Sequence, residues 1–245
     1  MNQRPLTYFV ADVHLGLDVK DMEGREKRFV AFLESIPKDR TDALYMLGDI
    51  WDFWYEYHDV VPKGYLRVFS ALLALQDAGV RICFFTGNHD IWAYKYFREL
   101  GFEMLEQPFV TEISGRRFCL GHGDGLGKGM RSYKVMRWTF RNRFFQALFS
   151  CLHPWIAFRI GKAWSRKSRL AKSIPYTFRG ADEPLYQYAD DMARREGVQV
   201  FIFGHYHTSV HLQLPSGASF NIIRDWMDAS PYAVFDGERL RFGEA

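Results

Sequence analysis

Five times along this chain a short apolar run breaks off directly into aspartate, asparagine or histidine. TYFVA (7–11) leads into Asp12-Val13-His14, ALYML (43–47) into Gly48-Asp49, and VRICFF (80–85) into Thr86-Gly87-Asn88-His89-Asp90. RRFCLG (116–121) is followed by His122-Gly123-Asp124, and VQVFIF (198–203) by Gly204-His205-Tyr206-His207. Short runs of β-branched and aromatic residues read as buried strands. Singly, each cluster has an ordinary explanation. Asn and Asp after Gly are common turn residues, Asp49 can cap the next segment, and a lone His after a strand is more often structural than a ligand. Repetition at the carboxyl ends of five strands is the constraint, because in an open α/β sheet those ends share one edge and ligands bind there.

Between the strands the periodicity turns helical. In REKRFVAFLESI (25–36), Phe29, Val30, Phe32, Leu33 and Ile36 share one face; YLRVFSALLALQDAG (65–79) ends on Gly79; PLYQYADDMARREG (184–197) precedes the last long strand. TEIS and RRFCLG read as two strands joined at Gly115, and HLQL, ASFNI and YAVFD as shorter strands near the end. This alternation predicts an α/β sandwich of sheets flanked by helices, built as a single domain over 1–245. With 245 residues, 48% of them hydrophobic, the chain can bury a sizeable core.

The segment 125–181 breaks the rhythm. It contains no Asp or Glu and thirteen Lys and Arg, so the rest of the chain carries 19 basic against 29 acidic residues beneath a net charge of only +3. Arg131, Lys134, Arg137 and Arg141 recur at helical spacing, as do Arg159, Lys162, Arg166 and Arg169. Trp138, Phe144, Phe145, Phe149, Trp155 and Trp164 fill the other faces. One such stripe is ordinarily a solvated face. Two in succession, with no acid in the segment to pair them, predict a helical basic and aromatic lid of two helices and an anionic partner.

The donors in the five clusters are chemically selective. Asp12, Asp49, Asn88, His14, His122, His205 and His207 offer carboxylate, amide and imidazole atoms and no thiolate. That set suits manganese, iron(II) or zinc and argues against a structural zinc site. Seven donors exceed what one such ion takes and suit two ions sharing a carboxylate. The three cysteines, Cys83, Cys119 and Cys151, are odd in number and lie in apolar surroundings, which predicts buried thiols in a reducing compartment. No segment reaches the ~18 apolar residues of a membrane span, and the first residues lack the pattern of an export signal, so a cytoplasmic location is expected.

The order D-x-H, G-D, G-N-H-D, H-G-D, G-H-x-H, running from Asp12 to His207, resembles the calcineurin-like metallophosphoesterases. Within them the chain looks like the UDP-2,3-diacylglucosamine diphosphatases of lipid A biosynthesis, through Asp12-Val13-His14-Leu15, the stretch 42–49, Gly115-Arg116-Arg117 ahead of His122, and the helical lid placed after Asp124. The resemblance implies two mixed sheets flanked by helices and two divalent ions, manganese first among them. Asp12, His14 and His207 would hold one ion, Asn88, His122 and His205 the other, and Asp49 would bridge them. It also implies His89 as proton donor to the leaving oxygen, oriented by Asp90. Those diphosphatases generally carry Arg where His89 stands, whereas Gly-Asn-His-Asp is the wider superfamily's form.

The implied substrate is a nucleotide-linked glycolipid, cleaved to UMP and 2,3-diacylglucosamine 1-phosphate. Arg131, Tyr133, Lys134, Arg166, Lys167, Ser168 and Arg169 are candidate head-group contacts, and Phe144, Phe145, Phe149, Trp155 and Trp164 candidate acyl-chain contacts. Peripheral association with the anionic inner membrane is expected, and no stable nucleic-acid partner. A general phosphodiesterase or phosphatase, a nuclease, and a binding scaffold with a decayed site are the competing readings. The first shares every donor, the second is opposed by the apolar lid, and the third by the completeness of the donor set.

Overall fold

The computed structural model describes residues 5–129, 131–171 and 176–245, without the side chains of 131–133 and 168–171. Alternation along the strands builds its layers. Strands β1 (Leu6–Val10), β2 (Thr41–Met46), β3 (Arg81–Phe85) and β4 (Glu103–Leu105) run parallel. β10 (Pro231–Phe235) and β11 (Leu240–Glu244) extend this sheet antiparallel on the other side of β1, giving the order β11-β10-β1-β2-β3-β4. The second sheet has the order β5-β6-β7-β9-β8, from β5 (Phe109–Ile113), β6 (Arg116–Leu120), β7 (Val200–Phe203), β8 (Val210–Gln213) and β9 (Ser219–Ile222). Both sheets mix parallel and antiparallel pairs.

Successive side chains on a strand point to opposite faces. Phe9, Ala43, Tyr45, Cys83 and Phe85 therefore meet Phe118, Leu120, Val200 and Ile202 between the sheets. Their neighbours Val10, Leu44, Met46, Ile82 and Phe84 pack outward with Phe29, Phe32 and Leu33 of helix α1 (Met22–Ser35) and Val68, Leu72 and Leu75 of α2 (Leu66–Asp77). A short helix, α3 (Tyr96–Glu99), adds Phe97 to that core. On the far side Phe201, Phe203 and Phe220 take Leu185, Ala189 and Met192 of α7 (Pro184–Glu196). The result is the expected two-sheet sandwich between helices.

The lid differs from expectation. Three helices replace two: α4 (Arg131–Arg141), α5 (Arg143–Ser150) and α6 (Pro154–Ala171). Asn142 makes the first break, its side chain accepting the Phe144 N–H at 2.9 Å as an N-cap. Pro154 opens α6, where a missing N–H costs nothing. The basic stripe of α4 is not wholly solvated either, since Arg137 pairs with buried Asp124, which lies just outside the acid-free run. Core residues grip the lid backbone: Tyr55 donates to the Gln146 carbonyl at 2.9 Å, Tyr57 to Leu152 at 3.0 Å and Trp92 to Phe140 at 2.8 Å. Strands β4 and β11, absent from the sequence reading, complete the two edges of the first sheet. No described helix is long and apolar enough to cross a membrane.

Candidate metal centre

The loops after β1, β2, β3, β6 and β7 converge at one edge of the sandwich, and all seven predicted donors meet there. Ligand atoms of Asp12, His14 and His207 lie within 4.8 Å of one another, and so do those of Asp12, Asp49 and His122. A third such group joins His14 and Asp49 to His89. Asn88 reaches the same place, its Oδ1 3.4 Å from His122 Nε2, and the His205 ring stands 5.1 Å from that of His122.

The backbone is bent to achieve this. Asp12, His14, Asp49, His205 and His207 all have φ between 50° and 71°. For residues with a Cβ that left-handed region costs about 1–2 kcal/mol each. Five such residues cost about 5 kcal/mol or more, comparable with the whole net stability of a small domain. Strain of that size persists where the site needs it. Gly48 (φ +89°) lets the Asp49 loop pass close to the Asn88 loop, since a Cβ there would sit 2.7 Å from the Gly87 nitrogen.

Each of the two central carboxylates is held by one oxygen and aimed with the other. Asp12 Oδ2 accepts the His205 N–H at 2.8 Å, and Asp49 Oδ1 accepts the His89 N–H at 2.8 Å. Asp12 Oδ1 and Asp49 Oδ2 are buried and accept no hydrogen bond of sound geometry among the described residues. Asp12 Oδ1 lies 3.6 Å from His14 Nε2 and 3.6 Å from His207 Nδ1; Asp49 Oδ2 lies 3.4 Å from His122 Nε2. Buried, unbonded carboxylate oxygens facing imidazoles are costly unless a cation completes them.

The electrostatics agree. Burial opposes charge on His122, yet Asp49, Asp12 and Asp124 push its imidazole up to about 10. A pocket that would keep a proton on a fully buried imidazole is one that demands positive charge. Burial also pushes the Asp49 carboxyl up, but His122, His89 and His14 outweigh it and hold it well below the ordinary carboxylate range. Burial raises the Asp12 carboxyl despite His207 and His122. Burial, with His122 beside it, drives His205 down to about 3, leaving a neutral ring with a lone pair to give. The residues present fit divalent cations bound by mixed imidazole and oxygen donors.

Asp90 does not orient His89. Its Oδ1 accepts the Gly87 N–H at 2.7 Å and its Oδ2 that of Ile50 at 2.9 Å, so it fastens the Asp49 loop to the Asn88 loop. His89 rests instead against Asp52: Nδ1 is 2.8 Å from the Asp52 carbonyl and 3.5 Å from its carboxylate. The opposite nitrogen, Nε2, faces Asp49 Oδ2 at 4.0 Å. Asp52 and three further residues escaped the sequence reading. Asp225 sits 3.1 Å from His207 Nδ1, buried Arg25 holds the His14 carbonyl at 2.6 Å, and Ser165 of α6 bonds Asp52 at 2.7 Å. Only Asp52, three positions after Asp49, lay near a recognisable cluster.

Of the expected head-group contacts, the side chains of Arg131, Tyr133, Ser168 and Arg169 lie outside the described residues. Arg166 and Lys167 are exposed near the end of α6, and Lys134 reaches the Gly127 carbonyl at 3.3 Å. An apolar cavity of about 310 Å³ lies between lid and core, lined by Phe53, Trp92, Phe140, Phe145, Phe149 and Trp164, among others. Three expected acyl-chain contacts are in that lining; Phe144 and Trp155 stand outside it, exposed.

The model of the calcineurin-like phosphoesterase family matches residues 6–209. The UDP-2,3-diacylglucosamine hydrolase of Porphyromonas gingivalis is 35% identical, covering 97% of this chain and 96% of that protein. The enzyme of the same name from Proteus mirabilis is 33% identical, over 82% of this chain and 81% of that one. The crystal structure of a dimetal phosphatase from Danio rerio shares the fold at a TM-score of 0.50 with 15% identity, covering 98% and 95% of the two chains. With its five motifs gathered at one edge of the sandwich, the chain belongs to the calcineurin-like phosphoesterase family.

Proposed function

We propose that this protein is a two-metal phosphoesterase that hydrolyses the diphosphate of UDP-2,3-diacylglucosamine, releasing UMP and 2,3-diacylglucosamine 1-phosphate. The observation that carries the reading is the adjacency of the donor cluster to the apolar cavity. Trp164 joins the two, lining the cavity with its ring centroid 6.2 Å from that of His89. A substrate with a diphosphate at one end and acyl chains at the other needs that junction of polar and apolar surface. Two curated relatives that this chain matches over most of its length carry the corresponding name.

Asp12, His14 and His207 would hold one ion, Asn88, His122 and His205 a second, with Asp49 between them; manganese suits such donors. Bound there, the ions supply Lewis acidity toward the phosphoryl oxygens and activate water for attack in line with the leaving group. The chain's own contribution is positional. Asp90 fixes the loop that carries Asp49, and Asp52 turns His89 so that Nε2 faces the cluster. From there His89 can give a proton to the departing phosphate oxygen, a task suited to imidazole. The walls of the cavity exclude water and take the acyl chains.

The outer face of the lid fits an anionic bilayer. Trp138, Phe144 and Trp155 are 62%, 71% and 60% exposed, among lysines and arginines. Such a face would rest on the inner membrane from the cytoplasmic side, each basic residue contributing about 1 kcal/mol near the surface. Protein loaded with manganese, offered UDP-2,3-diacylglucosamine and bis-p-nitrophenyl phosphate in parallel, should release UMP from the first at far higher kcat/KM. Cleavage of the simple diester with none of the glycolipid would replace this reading by a general phosphodiesterase.

A further inference from the structure

Helix α6 packs on the core through a row of small residues spaced four apart: Ala157, Gly161 and Ser165, all buried. The row permits a close approach, since a Cβ on Gly161 would lie 2.3 Å from the Phe53 ring. Four residues further along, the same face delivers the Ser165 hydroxyl to the residue before Phe53. Ser165 Oγ donates to Asp52 Oδ1 at 2.7 Å across 113 positions of sequence, and both side chains are almost wholly buried. That carboxylate oxygen also lies 3.3 Å from His14 Nδ1 and 3.5 Å from His89 Nδ1, while Ser165 Oγ itself is 3.4 Å from His89 Nδ1. One oxygen thus stands behind two imidazoles whose opposite nitrogens face the donor cluster.

We infer that Ser165 is a positioning residue for the phosphoesterase reaction: by fixing the Asp52 carboxylate it sets the ring orientation of His14 and His89, so that seating of α6 and alignment of the catalytic edge are one event. This rests on the phosphoesterase reading above. The physical reason is rotational freedom. A carboxylate turns about its terminal bond unless its oxygens are bonded on more than one side, and the imidazole behind which it stands follows it. Ser165 is the bond from the lid side. The other side is the pair of rings themselves, His14 Nδ1 at 3.3 Å and His89 Nδ1 at 3.5 Å, while the core fixes the Asp52 main chain, whose N–H donates to the Leu15 carbonyl at 3.0 Å and whose carbonyl meets His89 Nδ1 at 2.8 Å. A hydroxyl in the middle of a lid helix, between Trp164 and Arg166, has no packing role that alanine could not approximate. Its placement is explained by what it bonds.

The test compares Ser165→Ala and Ser165→Cys with the unaltered full chain. The thiol fills the serine's volume but donates weakly, which separates packing from hydrogen bonding. With manganese and bis-p-nitrophenyl phosphate, a substrate without acyl chains, both variants should lose about five- to twentyfold in kcat with KM held within about twofold. In the zinc-loaded chain labelled with ¹⁵N-histidine, the ring-nitrogen signals of His14 and His89, whose Nδ1 atoms lie 3.3 and 3.5 Å from the Asp52 carboxylate, should shift and broaden in both variants. Unchanged kcat and unchanged ring signals in the alanine variant would overturn the inference. So would full activity of the cysteine variant, which would assign the site to volume alone. Should the alanine variant fail to fold, the cysteine variant decides by the same two readouts. If the unaltered chain cleaves no phosphoester, the function proposed above fails, and the ring nitrogens still report on Ser165. Cleavage of the diester without the glycolipid removes only the substrate assignment.

Discussion

The Asp90 carboxylate accepts the backbone N–H of Ile50 at 2.9 Å, from a residue 40 positions away and directly after Asp49. It accepts the Gly87 N–H at 2.7 Å as well, so a single buried side chain sews the second donor loop to the third. Burial and the Asp49 charge push its carboxyl up to about 8, against the N–H groups of Gly87 and Trp51, which pull it down. Asp90→Asn places an NH₂ among those N–H donors and strands at least one of them. A buried unpaired donor costs about 1–3 kcal/mol, and groups that orient metal ligands are worth about 10–100-fold in metal affinity. Both losses are expected here, read by thermal denaturation and by competition with a chelating dye. A variant with unaltered affinity would leave Asp90 a purely structural residue.

Metal removal gives a second expectation. Dialysis against a chelator should abolish hydrolysis, and added manganese should restore it. Because the ions bind only the folded chain, manganese at a hundred times its Kd should stabilise by about 2.7 kcal/mol per site, or roughly 5–10 °C in Tm for a chain of this size. Asp49→Ala removes the carboxylate proposed to lie between the two ions. Hydrolysis should fall by about a thousandfold or more, and the Tm gain on adding manganese should shrink toward that of roughly one ion. Unchanged turnover would revive the binding-scaffold reading.

The cavity gives a third. Phe149, in the cavity wall, stacks on Trp92 at 5.3 Å between centroids and packs on Tyr55 at 4.8 Å. Phe149→Glu puts a charge where an acyl chain would lie. Each buried methylene is worth about 0.8 kcal/mol, so disrupting two or three should raise KM for a diacylated substrate by about tenfold or more. Turnover of bis-p-nitrophenyl phosphate should change less than about threefold. Equal losses on both substrates would place the acyl chains elsewhere.

What could be read from the sequence was what depends on short range. The apolar runs around Phe9, Tyr45, Phe85, Leu120 and Ile202 are short and β-branched or aromatic enough to mark buried strands, and the rule that ligands gather at carboxyl ends needs nothing more. Asp12 and Asp49 were visible for that reason. The break at Asn142 was also encoded, as an Asn before an apolar run, but it falls between two basic stripes, ending at Arg141 and resuming at Arg159, whose spacing points to only two helices. Arg137 shows why stripes mislead: spacing says which residues share a face, not which way the face turns. Ser165 and Asp225 left no trace, because their meaning lies in contacts with Asp52 and His207 that only the folded chain creates.

The cysteines supply a last expectation, one that reports on the packing of the sheets. Cys83 lies between the two sheets and Cys119 beneath α7; burial pushes both thiols up to about 12. At pH 8 the thiolate fraction of each is then about 10⁻⁴, and alkylating reagents attack the thiolate. Cys151, just past the end of α5, is exposed, contrary to the expectation that all three thiols are buried. Iodoacetamide at pH 8 should therefore add one carbamidomethyl group to the native protein, mapping to Cys151 by peptide mass spectrometry. The other two should appear only in denaturant. Rapid labelling of Cys83 in the native state would mean that the sheets separate readily, and a donor cluster built across both of them could not hold its geometry.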